Sequence, residues 1–235
     1  MNKNIKTAVI LAGGKGTRMR EHPEVLPKPM IKIGGKPVLM HIMDYLSSFQ
    51  DFNFIICTGY KEEIIFDYFN DSKYPNVKIL STGDETQTGG RIKQVEKYVD
   101  SDFLMTYGDG LANVDISKLI KSHKDSDKIS TMTVNKPVLR FGLVNFDKMG
   151  EVESFVEKPT LDYWVNIGYM IFKPEIFDFI PEDIPFENEP LVSLAKSKQL
   201  NAYKHEGYFK PMDTYREYLE LNKLWDSGKA PWKVH

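Results

Sequence analysis

The chain carries a single cysteine, Cys57, in 235 residues. One cysteine excludes an internal disulfide and fits a reducing compartment, so a cytoplasmic location is expected. Cys57 lies inside the apolar run 54–58, a setting that favours a small buried core residue over a nucleophile. An excess of charge of one sign is also missing. The 31 Lys and Arg against 33 Asp and Glu leave a formal net charge of -2, which gives no general basic field for nucleic acid. No apolar stretch approaches the roughly 18 residues of a membrane span, so no membrane partner is expected. The short apolar run near the start enters a glycine turn and predicts no secretory leader. The five histidines show no metal-ligand spacing. Internal repeats, low-complexity tracts and Pro/Gly/Ser linkers are absent as well.

What is present is a core and an alternation of elements. Hydrophobic residues make up 41% of the chain, too many for a disordered segment. The length suits one large α/β unit, since such folds often run to roughly 200–250 residues without splitting. Short apolar runs predict strands at 7–11, 54–58, 77–80, 103–106, 129–134, 142–146, 152–156 and 165–172. Helical spacing predicts helices at 37–49, 62–69, 90–99 and 213–225, and a further one at 116–124 with Asp115 as its N-cap. Strand–helix alternation in the first half implies parallel βαβ units with right-handed crossovers. A single domain over residues 1–235 is expected, its first half binding a nucleotide and its second an acceptor. In such sheets ligands bind beyond the carboxyl ends of the strands. The turns after Leu11, after Thr58 and at Tyr107-Gly108-Asp109-Gly110 are candidates for that edge.

The first turn is the most telling. Thr7-Ala8-Val9-Ile10-Leu11-Ala12-Gly13-Gly14-Lys15-Gly16-Thr17-Arg18 runs from a strand through glycines to a cation. Pro27-Lys28-Pro29 holds a second cation in a stiff frame. Glycines let backbone N–H groups approach phosphate oxygens closely, and a fixed arginine pairs with them. The run is not a P-loop, and it lacks the third glycine of the dinucleotide fingerprint, where Met19 stands. Asp109, after an apolar strand and between Gly108 and Gly110, reads equally as a metal ligand and as a common Asp-Gly turn. Asp213 reads as a helix N-cap. Arg91 stands in a first helical turn, and Glu157-Lys158-Pro159 reads as a surface turn on composition alone.

These motifs, in this order, resemble the sugar nucleotidyltransferases, whose signature is G-G-x-G-T-R followed by P-K-P. Thr88-Gly89-Gly90-Arg91, Tyr107-Gly108-Asp109-Gly110, Pro211-Met212-Asp213-Thr214 and Gly228-Lys229-Ala230-Pro231-Trp232-Lys233 resemble the glucose-1-phosphate cytidylyltransferase branch. Thr82-Gly83-Asp84, Arg140-Phe141-Gly142 and Glu157-Lys158-Pro159 complete a match that covers nearly the whole chain. The resemblance implies a Rossmann-like three-layer nucleotidyltransferase fold with a mixed, mostly parallel central sheet. It implies Mg²⁺, held by Asp109 and Asp213, and a reaction of CTP with a sugar phosphate to a CDP-sugar and pyrophosphate. Arg18, Lys28 and Asp109 are the catalytic candidates. Leu11, Ala12, Gly13, Gly14, Gly16, Thr17, Arg18, Thr88, Gly89, Arg91 and Asp109 are the nucleotide-binding candidates. Tyr107, Gly108, Glu157, Lys158 and Asn166 are the acceptor-binding candidates. A homo-oligomer and a role in polysaccharide synthesis are implied too.

The chain departs from that family in three places. The segment between Phe69 and Thr82 is short, and so is the loop after Pro159. Asn166 is followed by Ile167-Gly168 where two glycines are usual. An isoleucine beside a sugar pocket, with Tyr163 and Trp164 before it, leaves a smaller polyol phosphate such as a glycerol phosphate as the alternative acceptor. A catalytically silent nucleotide or sugar-phosphate sensor on the same scaffold is the alternative of another class.

Overall fold

Alternation along the first strand explains the layering. In the computed structural model, which describes residues 5–16, 26–70 and 74–234, β1 (Thr7–Leu11) sends Ala8 and Ile10 into one hydrophobic core and Val9 and Leu11 into another. A strand buried on both faces needs apolar residues at both parities, which is why TAVIL reads as a continuous run. The other strands are β2 (Lys32–Ile33), β3 (Lys36–Pro37), β4 (Asn53–Thr58), β5 (Val77–Ser81), β6 (Phe103–Tyr107), β7 (Gly110–Ala112), β8 (Ser130–Asn135), β9 (Leu143–Phe146), β10 (Val152–Val156), β11 (Val165–Phe172), β12 (Leu200–Lys204) and β13 (Phe209–Pro211). The helices are α1 (Val38–Ser47), α2 (Glu62–Phe69), α3 (Thr88–Lys93), α4 (Ile116–Ser126), α5 (Glu189–Lys196) and α6 (Tyr215–Asp226).

Seven strands form the central sheet in the order β12-β8-β11-β6-β1-β4-β5. All neighbours are parallel except at β11, which runs antiparallel to both β6 and β8. The sheet is therefore mixed and mostly parallel, as expected. The first core packs α1, α2, α4 and α6 against one face through Val38, Leu39, Ile65, Leu119 and Leu221. The second packs α3, α5 and the segment between β11 and α5 against the other, through Ile92, Ile176, Phe186 and Leu194. Cys57 sits in this second core, fully buried.

Several boundaries differ from the pattern reading. The apolar spacing at 90–99 belongs to α3, which starts earlier at Thr88, and to a separate single turn at Glu96–Tyr98. Asp115 caps α4 as expected, its side chain accepting from the Lys118 amide. The β7–β13 ladder and edge strand β12 escaped the pattern reading, because three residues carry no periodicity and the five of β12 are only partly buried or exposed. The β9–β10 hairpin pairs only with itself among the described residues, and Phe146, Met149, Val152 and Phe155 on it are exposed, as is Phe141 just before it. No helix among the described residues is long and apolar enough to cross a membrane.

Candidate active site

The carboxyl ends of β6, β1 and β4 lie side by side, so the three turns that follow them meet. The Ala12 amide donates to the Cys57 carbonyl at 2.8 Å, and the Gly108 amide donates to the Leu11 carbonyl at 2.9 Å. Together these turns wall a cavity of about 370 Å³ lined by residues 11–16, Lys28, Pro29, residues 84–88, Arg91 and residues 107–109. Leu11, Ala12, Gly13, Gly14, Gly16, Thr88, Tyr107, Gly108 and Asp109 are thus brought to one place. Gly89 is buried one position behind Thr88. Thr17 and Arg18 lie outside the described residues.

Pro27-Lys28-Pro29 explains how a lysine is held still. Residues 28–30 form one 3₁₀ turn, with the Met30 amide donating to the Pro27 carbonyl at 2.8 Å. From that frame the Lys28 ammonium reaches Oδ2 of Asp109 at 2.7 Å and Oδ1 of Asp213 at 2.6 Å. Its side chain is only 11% exposed. Burial works against the charge, but the two carboxylates outweigh it and hold the Lys28 pKa above its ordinary value. The convergence of the two aspartates comes from the β7–β13 ladder. Pro211 pairs with Gly110, and the Met212 amide donates to the Asp109 carbonyl at 2.9 Å.

Asp213 is not the N-cap of α6, which corrects the helix start expected at 213. Thr214 is the cap, in a capping box with Glu217. The Asp213 carboxylate is thereby left to the cluster with Lys28.

Arg91, expected to contact the nucleotide, lines the cavity and is also tied into the surrounding turns. Its guanidinium is buried and donates to the carbonyls of Thr58 at 2.8 Å and Gly13 at 3.1 Å, and to the Thr82 hydroxyl at 2.5 Å. It fastens the turns after β1 and β4 to the segment after β5. Gly13 must be glycine for this, since a Cβ there would lie 2.0 Å from Nη1 of Arg91. Burial lowers the Arg91 pKa from its usual value, although an arginine stays charged at any physiological pH.

The acceptor candidates divide. Tyr107 and Gly108 line the cavity, whereas Glu157, Lys158 and Asn166 are not among its lining residues. Glu157 and Lys158 are exposed and paired with each other at 3.3 Å. The Asn166 side chain accepts from the Gly168 amide at 2.9 Å, within an irregularity in β11. Gly168 has φ +82° and lies against the Tyr107 ring, where a Cβ would be 2.3 Å from a ring carbon. Ile167 is 4% exposed and belongs to the first core. It therefore does not fill a sugar pocket, and the steric ground for a smaller acceptor is removed. The reason is period: in a strand, residue 167 points to the opposite face from 166 and 168. Tyr163 is exposed, and the Trp164 ring lies 5.2 Å and 5.4 Å from the Lys136 and Lys204 ammoniums.

Two residues at this site carried no signal in the sequence. Glu187 accepts from the Tyr107 hydroxyl and, at 2.7 Å, from the Thr88 hydroxyl. Burial, with the Glu187 charge added, pushes the Tyr107 pKa well up. Asp183 accepts from the Gln87 amide at 2.8 Å. Both come from the irregular stretch before α5, which no local pattern ties to the cavity.

With this geometry in place, the family described as nucleotidyl transferase matches residues 7–220. This chain belongs to the nucleotidyl transferase family. Among relatives of this nucleotidyltransferase, a glucose-1-phosphate cytidylyltransferase from Salmonella typhimurium is 43% identical, over 97% of the chain and 98% of that protein. A protein from Bacillus subtilis named "Probable glucose-1-phosphate cytidylyltransferase" is 39% identical, over 97% and 99%. The crystal structure of HddC from Yersinia pseudotuberculosis complexed with GMP-PN is similar at a TM-score of 0.73 and 29% identity, covering 94% of this chain and 100% of that one. The Rossmann-like nucleotidyltransferase fold and an enzymatic group transfer follow for this chain.

Proposed function

We propose that this enzyme transfers a cytidylyl group from CTP to glucose 1-phosphate, forming CDP-glucose and pyrophosphate with Mg²⁺. One observation carries the reading: Lys28, Asp109 and Asp213 converge beside a cavity walled by a glycine turn. An oxygen of the acceptor phosphate attacks the α-phosphorus of CTP, and the bond to the leaving pyrophosphate breaks. Both reactants are anions, so the protein's task is to neutralise charge and align the attack. The backbone N–H groups of residues 12–16 and the Arg18 side chain are assigned to the β- and γ-phosphates. Lys28, already poised between two carboxylates, is assigned to the α-phosphate and the incoming acceptor phosphate. Thr88, Gly89 and the segment fastened by Arg91 are assigned to the nucleotide, and Glu157, Lys158 and Asn166 to the acceptor.

The residues fit a magnesium ion. Asp109 and Asp213 already balance a positive charge between them in the form of the Lys28 ammonium. Among the described residues no group of three His, Cys, Asp or Glu side chains could hold a metal, and Mg²⁺ is commonly bound by one or two carboxylates plus substrate phosphates. When bound, the ion neutralises phosphate charge as it develops on the leaving group. The exposed apolar side chains on the β9–β10 hairpin support a homo-oligomer. The central sheet shared by both cores supports one domain over residues 1–235, and the lone buried cysteine supports a reducing cytoplasm.

The test is pyrophosphate release with Mg²⁺ and CTP, comparing glucose 1-phosphate with glycerol phosphates. Turnover with glucose 1-phosphate is expected. Turnover confined to a glycerol phosphate overturns the acceptor, and silence under CTP with turnover under another nucleotide overturns the base.

A further inference from the structure

We propose that Arg140 is a positioning residue for Asp213, acting through the buried carboxylate of Glu217. The Glu217 side chain is only 4% exposed. Its Oε2 accepts from the Asp213 amide at 2.7 Å and the Thr214 amide at 2.9 Å. A helix cap needs no more than that. The second oxygen, Oε1, takes a guanidinium N–H of Arg140, 77 positions earlier in the chain. A buried carboxylate stripped of its countercharge is costly, so Arg140 stabilises the form of Glu217 that holds the Asp213 backbone. Asp213 in turn meets Lys28 at 2.6 Å.

Arg140 is placed by the acceptor side of the molecule. The Leu139 amide donates to the Pro159 carbonyl at 2.9 Å, and the Leu161 amide donates to the Pro137 carbonyl at 2.9 Å. The Arg140 backbone is thus tied to the segment that bears Glu157 and Lys158, while its side chain reaches the loop that bears Asp213. A change of position at residues 157–159 is felt at Asp213 through two residues, Arg140 and Glu217. This gives Arg140-Phe141-Gly142 a physical task that neither its spacing nor its composition discloses. The functional consequence rests on the reading of Asp213 as a metal contact.

The test uses Arg140→Met, Arg140→Lys, Glu217→Gln and the double variant. Glu217→Gln keeps an amide oxygen for the two backbone N–H groups but loses the charged partner of Arg140. Arg140→Met is expected to lower kcat about 10- to 100-fold with the KM for CTP within about twofold, since a misplaced group costs rate more than binding. Mn²⁺ affinity of the enzyme–CTP complex, read by electron paramagnetic resonance, is expected to weaken about 5- to 10-fold, with Arg140→Lys in between. The double variant is expected to match Glu217→Gln within about twofold, because both act on one element. Effects that multiply, or a change confined to the acceptor KM, overturn the proposal and make Arg140 a direct acceptor contact. A separate readout is independent of any metal: hydrogen exchange of the Asp213 and Thr214 amides is expected to quicken about tenfold in Arg140→Met. Unchanged exchange overturns the link. Wild-type Mn²⁺ affinity in Asp213→Asn overturns the metal reading instead, and the exchange result still decides the Arg140 link.

Discussion

Lys28 and Asp213 stand 185 positions apart in the chain and 2.6 Å apart in space. The lysine is delivered by a proline-framed turn near one end of the sequence, and the aspartate by a strand end near the other. Replacing Lys28 with Met leaves two carboxylates facing each other without their cation. A loss of about 1–3 kcal/mol is expected at pH 8, read from the urea midpoint. The folded pKa of Lys28 is raised above 10.5. Its contribution is therefore fully present below that value and is lost as pH climbs through the folded pKa. The gap between wild type and Lys28→Met should narrow only above about pH 10.5.

Asp109→Asn keeps the shape of the turn between β6 and β7 and removes its charge. A fall in kcat of about 10²- to 10³-fold is expected, with CTP binding by calorimetry largely intact. Full activity in that variant would remove Asp109 from the proposed metal site.

Gly13→Ala tests the fastening role of Arg91. The new methyl would lie 2.0 Å from Nη1 and 2.3 Å from Cζ of Arg91, so the guanidinium has to leave its carbonyl partners. The KM for CTP is expected to rise about tenfold or more, and Arg91→Lys is expected to lose about 1–3 kcal/mol of stability. Lysine cannot reproduce a planar fork that serves four separate acceptors, on Thr58, Thr82, Gly13 and Asp84. A Gly13→Ala enzyme with an unchanged KM would refute the close approach.

Cys57 gives the opposite kind of expectation. Burial pushes its thiol up to about 12, so the reactive thiolate is scarce at pH 8. Ellman's reagent should leave the native protein unlabelled and react with one thiol per chain in denaturant. Above the ordinary thiol range the unfolded chain holds this proton less tightly than the folded one, so Cys57 makes stability fall with rising pH between about 9 and about 12.

The strands of the central sheet were legible wherever both faces are buried. At β1, β4 and β6 apolar runs stand out from polar flanks, and the turns after them fall on one edge because parallel neighbours align their carboxyl ends. The Pro27-Lys28-Pro29 frame and the glycine turn were legible for the same reason, since proline and glycine act on the backbone locally. The helix expected from 213 starts at Tyr215, two residues later, and its cap is Thr214 and not Asp213. Asp and Thr are both good caps, and the Thr214-Tyr215-Arg216-Glu217 spacing is the capping-box signature that marks Thr214. Ile167 turns into the first core with Tyr169 and Ile171, on the odd parity of β11, and the sequence alone does not tell which of the two faces lies toward the cavity. Arg91 read as a surface or ligand-facing cation, and its burial is decided by the carbonyls of Thr58 and Gly13 converging on it.

By itself the sequence determined the kind of chemistry: a glycine turn and a proline-framed lysine that suit phosphate, carboxylates in the contexts of Asp109 and Asp213, and an alternation that builds a mostly parallel sheet. These are local or periodic properties, written in consecutive residues. Tertiary structure decided which groups meet. The β7–β13 ladder brings Asp109 and Asp213 to one lysine, β11 turns Ile167 into the core, and Glu187, Arg140 and Glu217 join segments 77 and 80 positions apart. Such meetings depend on sheet order and register, which are set by burying both cores at once, and no short stretch of sequence contains that information.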